Sequence, residues 1–155
     1  MCARKETMKK FLLSAILLVC NSLGSANTPY HQPVKHTQRD VKCLADNIYH
    51  EARGEPFRGQ IAVAQVTINR FLSKKHGKTI CDTVHQRRQF SWTNNKPRVR
   101  DLKRWQDSYT VAQFMLTGAQ MQKFPANFYH TKKVNPYWNR TKRITHVIGN
   151  HIFYK

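Results

Sequence analysis

Downstream of residue 26 the chain holds two glutamates, Glu51 and Glu55, and both stand in the stretch His50-Glu51-Ala52-Arg53-Gly54-Glu55. The rest of the chain is strongly basic, with 27 Lys and Arg against 8 Asp and Glu and a formal charge of +19. A carboxylic acid in such a place can protonate a leaving group, which is general acid work. The same cluster can instead do no more than balance local positive charge, because structural ion pairs also gather carboxylates. Composition does not separate these two readings.

Other chemistries fail on spacing. Glu51 follows a histidine, but Arg53-Gly54 stand where the second histidine of a zinc-protease HExxH motif belongs. There is no glycine-rich phosphate loop and no GxSxG elbow. Cys43 and Cys81 have no neighbouring base and form no CxxC pair, so neither a thiol nucleophile nor a metal site is expected. A second candidate surface is Gln89-Phe90-Ser91-Trp92-Thr93-Asn94. Aromatic rings interleaved with amides and hydroxyls suit sugars; the alternative is a loop that buries Phe90 and Trp92 against the core. Asn69-Arg70 read as helix-end residues, with polar anchors of the site as the alternative. His130, His146 and His151 are scattered and read as structural or surface residues.

The elements that must hold these groups are mostly helical. Thr37-Gln38-Arg39-Asp40 carries capping oxygens at a helix start. Val41, Leu44, Ala45, Ile48 and Ala52 then keep helical spacing. At about 100° per residue Glu51 falls beside Leu44, on the border of that stripe, where burial raises a carboxyl pKa. His50 is expected on the polar side. Gly54 and Pro56 end the helix, which places Glu55 in the turn and not one helical turn above Glu51. Gly59 to Leu72 is apolar all round and reads as a buried helix. Residues 73–100 read as loop-rich. Asp101 caps a helix carrying Leu102, Trp105, Tyr109, Ala112, Leu116 and Ala119, to about Gln120. Thr145 to Lys155 alternates around Gly149-Asn150 and reads as a small β-hairpin.

Met8-Lys9-Lys10, the apolar run Phe11 to Val19 and the small residues Gly24-Ser25-Ala26 have the order of a secretory signal over 1–26, with Met8 a candidate true start. The run is short for an ordinary spanning helix, which needs about 20 residues. Cleavage near Ala26 is expected, with a retained anchor as the alternative. Removing that segment takes away four Lys or Arg and one glutamate, leaving 23 basic and 7 acidic side chains, a formal charge of +16. A chain so basic implies a polyanionic partner: nucleic acid, an anionic membrane surface or an anionic wall polymer. Export argues against intracellular nucleic acid. Residues 27–40 read as a flexible lead-in and 41–155 as one domain. Cys43 and Cys81, an even pair in an exported chain, read as a disulfide, with two buried free thiols as the alternative.

The run Cys43 to Pro56, then Gly59 to Val66, Asn69-Arg70, Thr79-Ile80-Cys81, Gln89-Phe90-Ser91-Trp92, Phe128-Tyr129-His130, Pro136-Tyr137-Trp138 and Ile148 to Tyr154 together resemble the SleB-type cell-wall hydrolases, the spore-cortex lytic enzymes among them. The resemblance covers about residues 41–155. It implies an α+β, mostly helical, lysozyme-like domain with the C-terminal hairpin, acting on peptidoglycan in the periplasm or cell envelope, without a cofactor and as a monomer. It further implies lytic transglycosylase activity that leaves 1,6-anhydromuramic ends. Glu51 matches the family's one catalytic glutamate, and Glu55 would support the site. Gln89, Phe90, Ser91, Trp92, Tyr129, His130 and Trp138 match its aromatic and amide positions and would bind substrate. Ordinary glycosidases need two carboxylates; a transglycosylase needs one. The competing functions are a hydrolase or amidase on the same wall that uses a second group, and a basic wall-binding module without catalysis.

Overall fold

The computed structural model describes residues 32–155. The signal segment expected over 1–26 lies outside the described residues. Among the described residues five helices come first, α1 (Gln38–Ala52), α2 (Phe57–Leu72), α3 (Ile80–His85), α4 (Trp92–Asn95) and α5 (Leu102–Leu116). Three strands follow, β1 (Phe128–Thr131), β2 (Ile144–Ile148) and β3 (His151–Tyr154), with a 3-10 helix (Tyr137–Thr141) between the first two. Among the described residues no helix is long and apolar enough to cross a membrane.

Local chemistry sets the helix ends. Thr37 accepts from the Asp40 backbone N–H, and Asp40 accepts from the Thr37 backbone N–H, a reciprocal capping box. Asp101 caps α5 by accepting from the Arg104 backbone N–H. The expected lead-in to residue 40 is corrected at its end: α1 starts at Gln38, and Val34, 5% exposed, already donates its N–H to the Leu116 carbonyl. The loop-rich stretch 73–100 holds two short helices, α3 and α4, and α3 starts at a second capping box, Thr79 with Asp82. Helices of six and four residues are too short to show a period, so their signal lies in the caps.

The all-round apolarity of α2 has a clear cause. Ala64 and Ile68 enter a core shared with Val41, Leu44, Ile48, Val111, Met115 and Leu116, which is the meeting of α1, α2 and α5. Ala62, Val63 and Val66 enter a second core with Ala52, Phe124, Ala126 and Phe153 under the sheet. One helix therefore separates two cores, and each face of it is buried. Truncating a buried aliphatic side chain here costs about 2–5 kcal/mol.

The sheet is antiparallel in the order β1-β3-β2. Gly149 and Asn150 form the two-residue turn of the expected hairpin, and β1 adds a third strand. The register pairs Tyr129 with Phe153 and His130 with Ile152. Strand alternation then puts Tyr129, His151 and Phe153 on the face toward α2, and Phe128, His130 and Tyr154 on the outer face. A Cys43–Cys81 disulfide joins α1 to α3 with Cα atoms 5.2 Å apart. Beside it Asp40 Oδ1 accepts from the Cys81 backbone N–H at 3.0 Å.

Candidate active site

Glu51 sits in the last turn of α1, partly exposed, where its carboxyl meets the inner face of the sheet. The Tyr129 hydroxyl donates to Glu51 Oε2 at 3.0 Å. Burial pushes the Glu51 carboxyl above the ordinary glutamate range; the Tyr129 hydrogen bond and the charge of Arg70 pull the other way and do not cancel it. Burial also drives the Tyr129 phenol well up, and the Glu51 charge adds to that, so Tyr129 stays a donor at any working pH.

Arg70 is the third member of this cluster. It comes from the last turn of α2, is 7% exposed, and donates Nε–H to the Asn127 carbonyl at 2.8 Å. Its guanidinium lies 5.2 Å from the Phe90 ring centroid. One terminal nitrogen, Nη1, is buried without a hydrogen-bond partner. Asn69 beside it donates to the carbonyls of Phe124 and Ala126 at 2.9 and 2.8 Å. These two residues are more than helix-end residues: they fasten the chain entering β1, and hence Tyr129, to α2. A polar pair at the end of an apolar helix was the available signal.

Glu55 goes elsewhere. Its Oε2 accepts from the Asn150 backbone N–H at 2.9 Å and its Oε1 from the Asn150 side-chain amide at 3.0 Å. His151 Nδ1 lies 3.9 Å from Oε2. A Cβ at Gly149, whose φ is +56°, would overlap Oε2. Glu55 thus clamps the β2–β3 turn to the α1–α2 turn. The remaining side-chain carboxylates among the described residues are engaged as well. Asp40 and Asp82 close capping boxes, Asp46 accepts from Trp105 and Lys42, Asp101 caps α5, and Asp107 pairs with Lys103. None of them is among the groups that shift Glu51.

The expected substrate residues divide. Trp92 docks on the C-terminal half of α1: its indole N–H donates at 3.0 Å to Asn47, one helical turn before Glu51, and Asn47 in turn donates to Thr67 at 3.1 Å. His50 does not lie alone on a polar face but stacks on Trp92 at 4.6 Å, because the 89–95 segment folds over the end of α1. Gln89, partly exposed, and Ser91, exposed, precede Trp92 in the same segment. Phe90 is corrected: at 3% exposure it belongs to the helical core and offers no face to a ligand. Loop aromatics split between core and surface by the side each faces, which their sequence does not encode. His130 and Trp138 are corrected too. His130 bonds the Tyr154 hydroxyl at 2.7 Å, and Trp138 packs on Phe128, His130 and Tyr154. Alternation along β1 turns His130 away from Glu51, and Trp138, in the 3-10 helix, packs against that same outer face. His146 and His151 are half-buried and buried in the sheet, as expected of structural residues.

Comparison with known proteins adds the family context. The profile of the cell wall hydrolase family matches residues 54–154, beginning three residues after Glu51. A spore cortex-lytic enzyme of Oceanobacillus iheyensis is 39% identical over 59 residues, 38% of this chain and 21% of that protein. One of Bacillus cereus is 37% identical over 59 residues, 38% of this chain and 23% of that protein. The matched region thus spans about a fifth of the length of these relatives. Among solved structures, the catalytic domain of the germination-specific lytic transglycosylase SleB from Bacillus anthracis superposes with a TM-score of 0.66 at 26% identity, covering 79% of this chain and 99% of that one. The Bacillus cereus SleB catalytic domain gives 0.63 at 25% identity, covering 85% and 100%.

Proposed function

Because the chain belongs to the cell wall hydrolase family and has the lysozyme-like SleB fold, we propose that it cleaves peptidoglycan glycan strands as a lytic transglycosylase, with Glu51 as the one acid–base group. The observation that carries this reading is the isolation of Glu51: a partly buried carboxyl with a raised pKa, held by one phenol, while the other six carboxylates downstream of residue 26 serve as caps, clamps or ion pairs. A hydrolase built on two carboxylates needs the second about 5–9.5 Å away across the bond, and none is free to take that place.

In the first step protonated Glu51 gives its proton to the oxygen linking N-acetylmuramic acid to N-acetylglucosamine, and that bond breaks. The Glu51 carboxylate then takes the proton of the muramic acid 6-hydroxyl as its oxygen closes on C1. The product is a 1,6-anhydro ring, and Glu51 ends protonated, ready for another cycle. The raised pKa supplies the proton for the first step. The Tyr129 hydrogen bond and the Arg70 charge stabilise the carboxylate that exists between the two. No cofactor enters. The formal charge of +16 downstream of residue 26 draws the protein to the anionic wall in the cell envelope.

Mass spectrometry of digested sacculi tests the assignment. Anhydromuramic ends are expected; reducing sugars or freed stem peptides would show a hydrolase or an amidase instead.

A further inference from the structure

An open groove of about 810 Å³ runs along the end of α1, lined by Tyr49, His50, Arg53, Trp92, Arg98 and Arg100 among others. It starts at the Trp92–His50 stack, on the face of α1 next to the one that carries Glu51, and continues over residues 97–101. That segment lacks helix or strand, yet it is held in place. The Tyr49 hydroxyl accepts from the backbone N–H groups of both Arg100 and Asp101, each at 3.1 Å. The Arg104 guanidinium reaches across to the Arg53 carbonyl at 2.6 Å. Tyr49 itself is 3% exposed, so this is a fixed wall and not a loose loop.

The charge of the groove is one-sided. Arg53 folds over the Tyr49 ring at 4.9 Å and donates to the Tyr49 carbonyl. Arg98 and Arg100 are exposed, and among the described residues neither forms an ion pair. The lining's one carboxylate, Asp101, is committed to the Arg104 backbone N–H at 3.0 Å and to the Arg104 guanidinium at 3.3 Å. Two free guanidiniums on a rigid wall are donors without an acceptor, in a fork that matches carboxylates.

We propose that this groove binds the carboxylates of the peptide arm carried by the glycan strand, so that Arg98 and Arg100 select peptide-bearing over bare glycan. The proposal rests on the wall-glycan reading of the neighbouring site. In that reading a muramic acid at Glu51 carries its peptide on the lactyl group, and an arm that crosses the end of α1 past His50 meets this groove and its cations. Phosphate-bearing wall polymers share the anionic chemistry, but they do not branch from the sugar at the cleaved bond.

The test uses Glu51→Gln protein, so that binding is read without cleavage. Calorimetry compares a soluble peptide-bearing glycan oligomer with the same oligomer after amidase removal of the peptides. The peptide-bearing form is expected to bind about tenfold tighter, the yield of one or two charge-assisted contacts. Arg98→Ala with Arg100→Ala should bring that ratio close to one, and the paired Lys variants should restore part of it. Both sites are exposed, and circular dichroism checks the fold. Equal affinity of the parent protein for both oligomers would overturn the proposal, as would a ratio that survives the double substitution. Displacement of the oligomer by a short polyglycerol phosphate at equal concentration would move the groove to phosphate polymers and overturn it too. Binding of neither oligomer, with no cleavage by the wild type, would instead sink the glycan reading itself.

Discussion

Glu51 and Glu55 are four residues apart and end in opposite circumstances. Glu51 is in the last turn of a helix, half covered, with one phenol as donor and a carboxyl whose pKa burial raises. Glu55 is in the following turn, its side chain 9% exposed, with two donors from one asparagine. One carboxyl is left under-solvated and under-bonded; the other is satisfied. The difference shows how a fold reserves reactivity: it denies one acid the partners it grants to the neighbour. The two are still linked, because the turn that Glu55 clamps leads into β3, and β3 pairs with β1, which carries Tyr129.

The contrast can be broken at several points. Glu51→Gln should keep the fold and lose about 10²–10⁴-fold in glycan cleavage, the usual span of general acid–base work, read as anhydromuropeptide release. A folded Glu51→Gln protein with full activity would remove Glu51 from the reaction. Glu55→Ala should act on stability first, costing about 2–3 kcal/mol in urea unfolding for two lost charge-assisted bonds. An unchanged midpoint would mean that the clamp contributes nothing. Gly149→Ala reaches the same clamp from its other side. Its left-handed backbone and the overlap with Oε2 should cost about 1–3 kcal/mol by the same measurement.

Two finer tests concern protons. Tyr129→Phe removes the bond that lowers the Glu51 pKa, so the high-pH limb of the activity profile should move up in pH while the maximal rate falls. A limb that stays put would detach Tyr129 from the titration of Glu51. Glu51 also bears on stability with a definite sign. Its folded pKa lies above its unfolded one, so its favourable contribution holds at low pH and is lost as pH rises through the folded value. Glu51→Gln should therefore melt slightly higher than the wild type at neutral pH and match it below the ordinary glutamate range. Equal melting temperatures at both pH values would show that the carboxyl is not strained by burial.

Much of this was readable in the residues. The capping oxygens of Thr37 and Asp40, the stripe from Val41 to Ala52 and the Gly149-Asn150 turn each act within a few residues, and each predicts its element. The border position of Glu51 on that stripe anticipates its raised pKa. What could not be read depends on partners far along the chain. Nothing local says that Asn150 is the acceptor's partner for Glu55, that Arg70 lies beside Glu51, or that β1 aims Tyr129 inward and His130 outward. Phe90 and Trp92 are two residues apart, and one is core while the other meets the groove, because the turn between them rotates the chain. Sequence resemblance names aromatic positions as a set; burial and strand alternation sort them.

The bonds that complete the site also set when it can exist. The Tyr129–Glu51 contact spans 78 residues and the Asn150–Glu55 contact 95. Contacts of such separation close late, after their loop entropy is met by other structure. A chain emerging from its N-terminal side therefore holds the acid on α1 well before β1 and β3 arrive. A fragment ending at Pro125 would carry Glu51 without its phenol, with the second core still open. The site is assembled with its own delay: a partial chain has the helix that bears the acid but not the phenol that faces it.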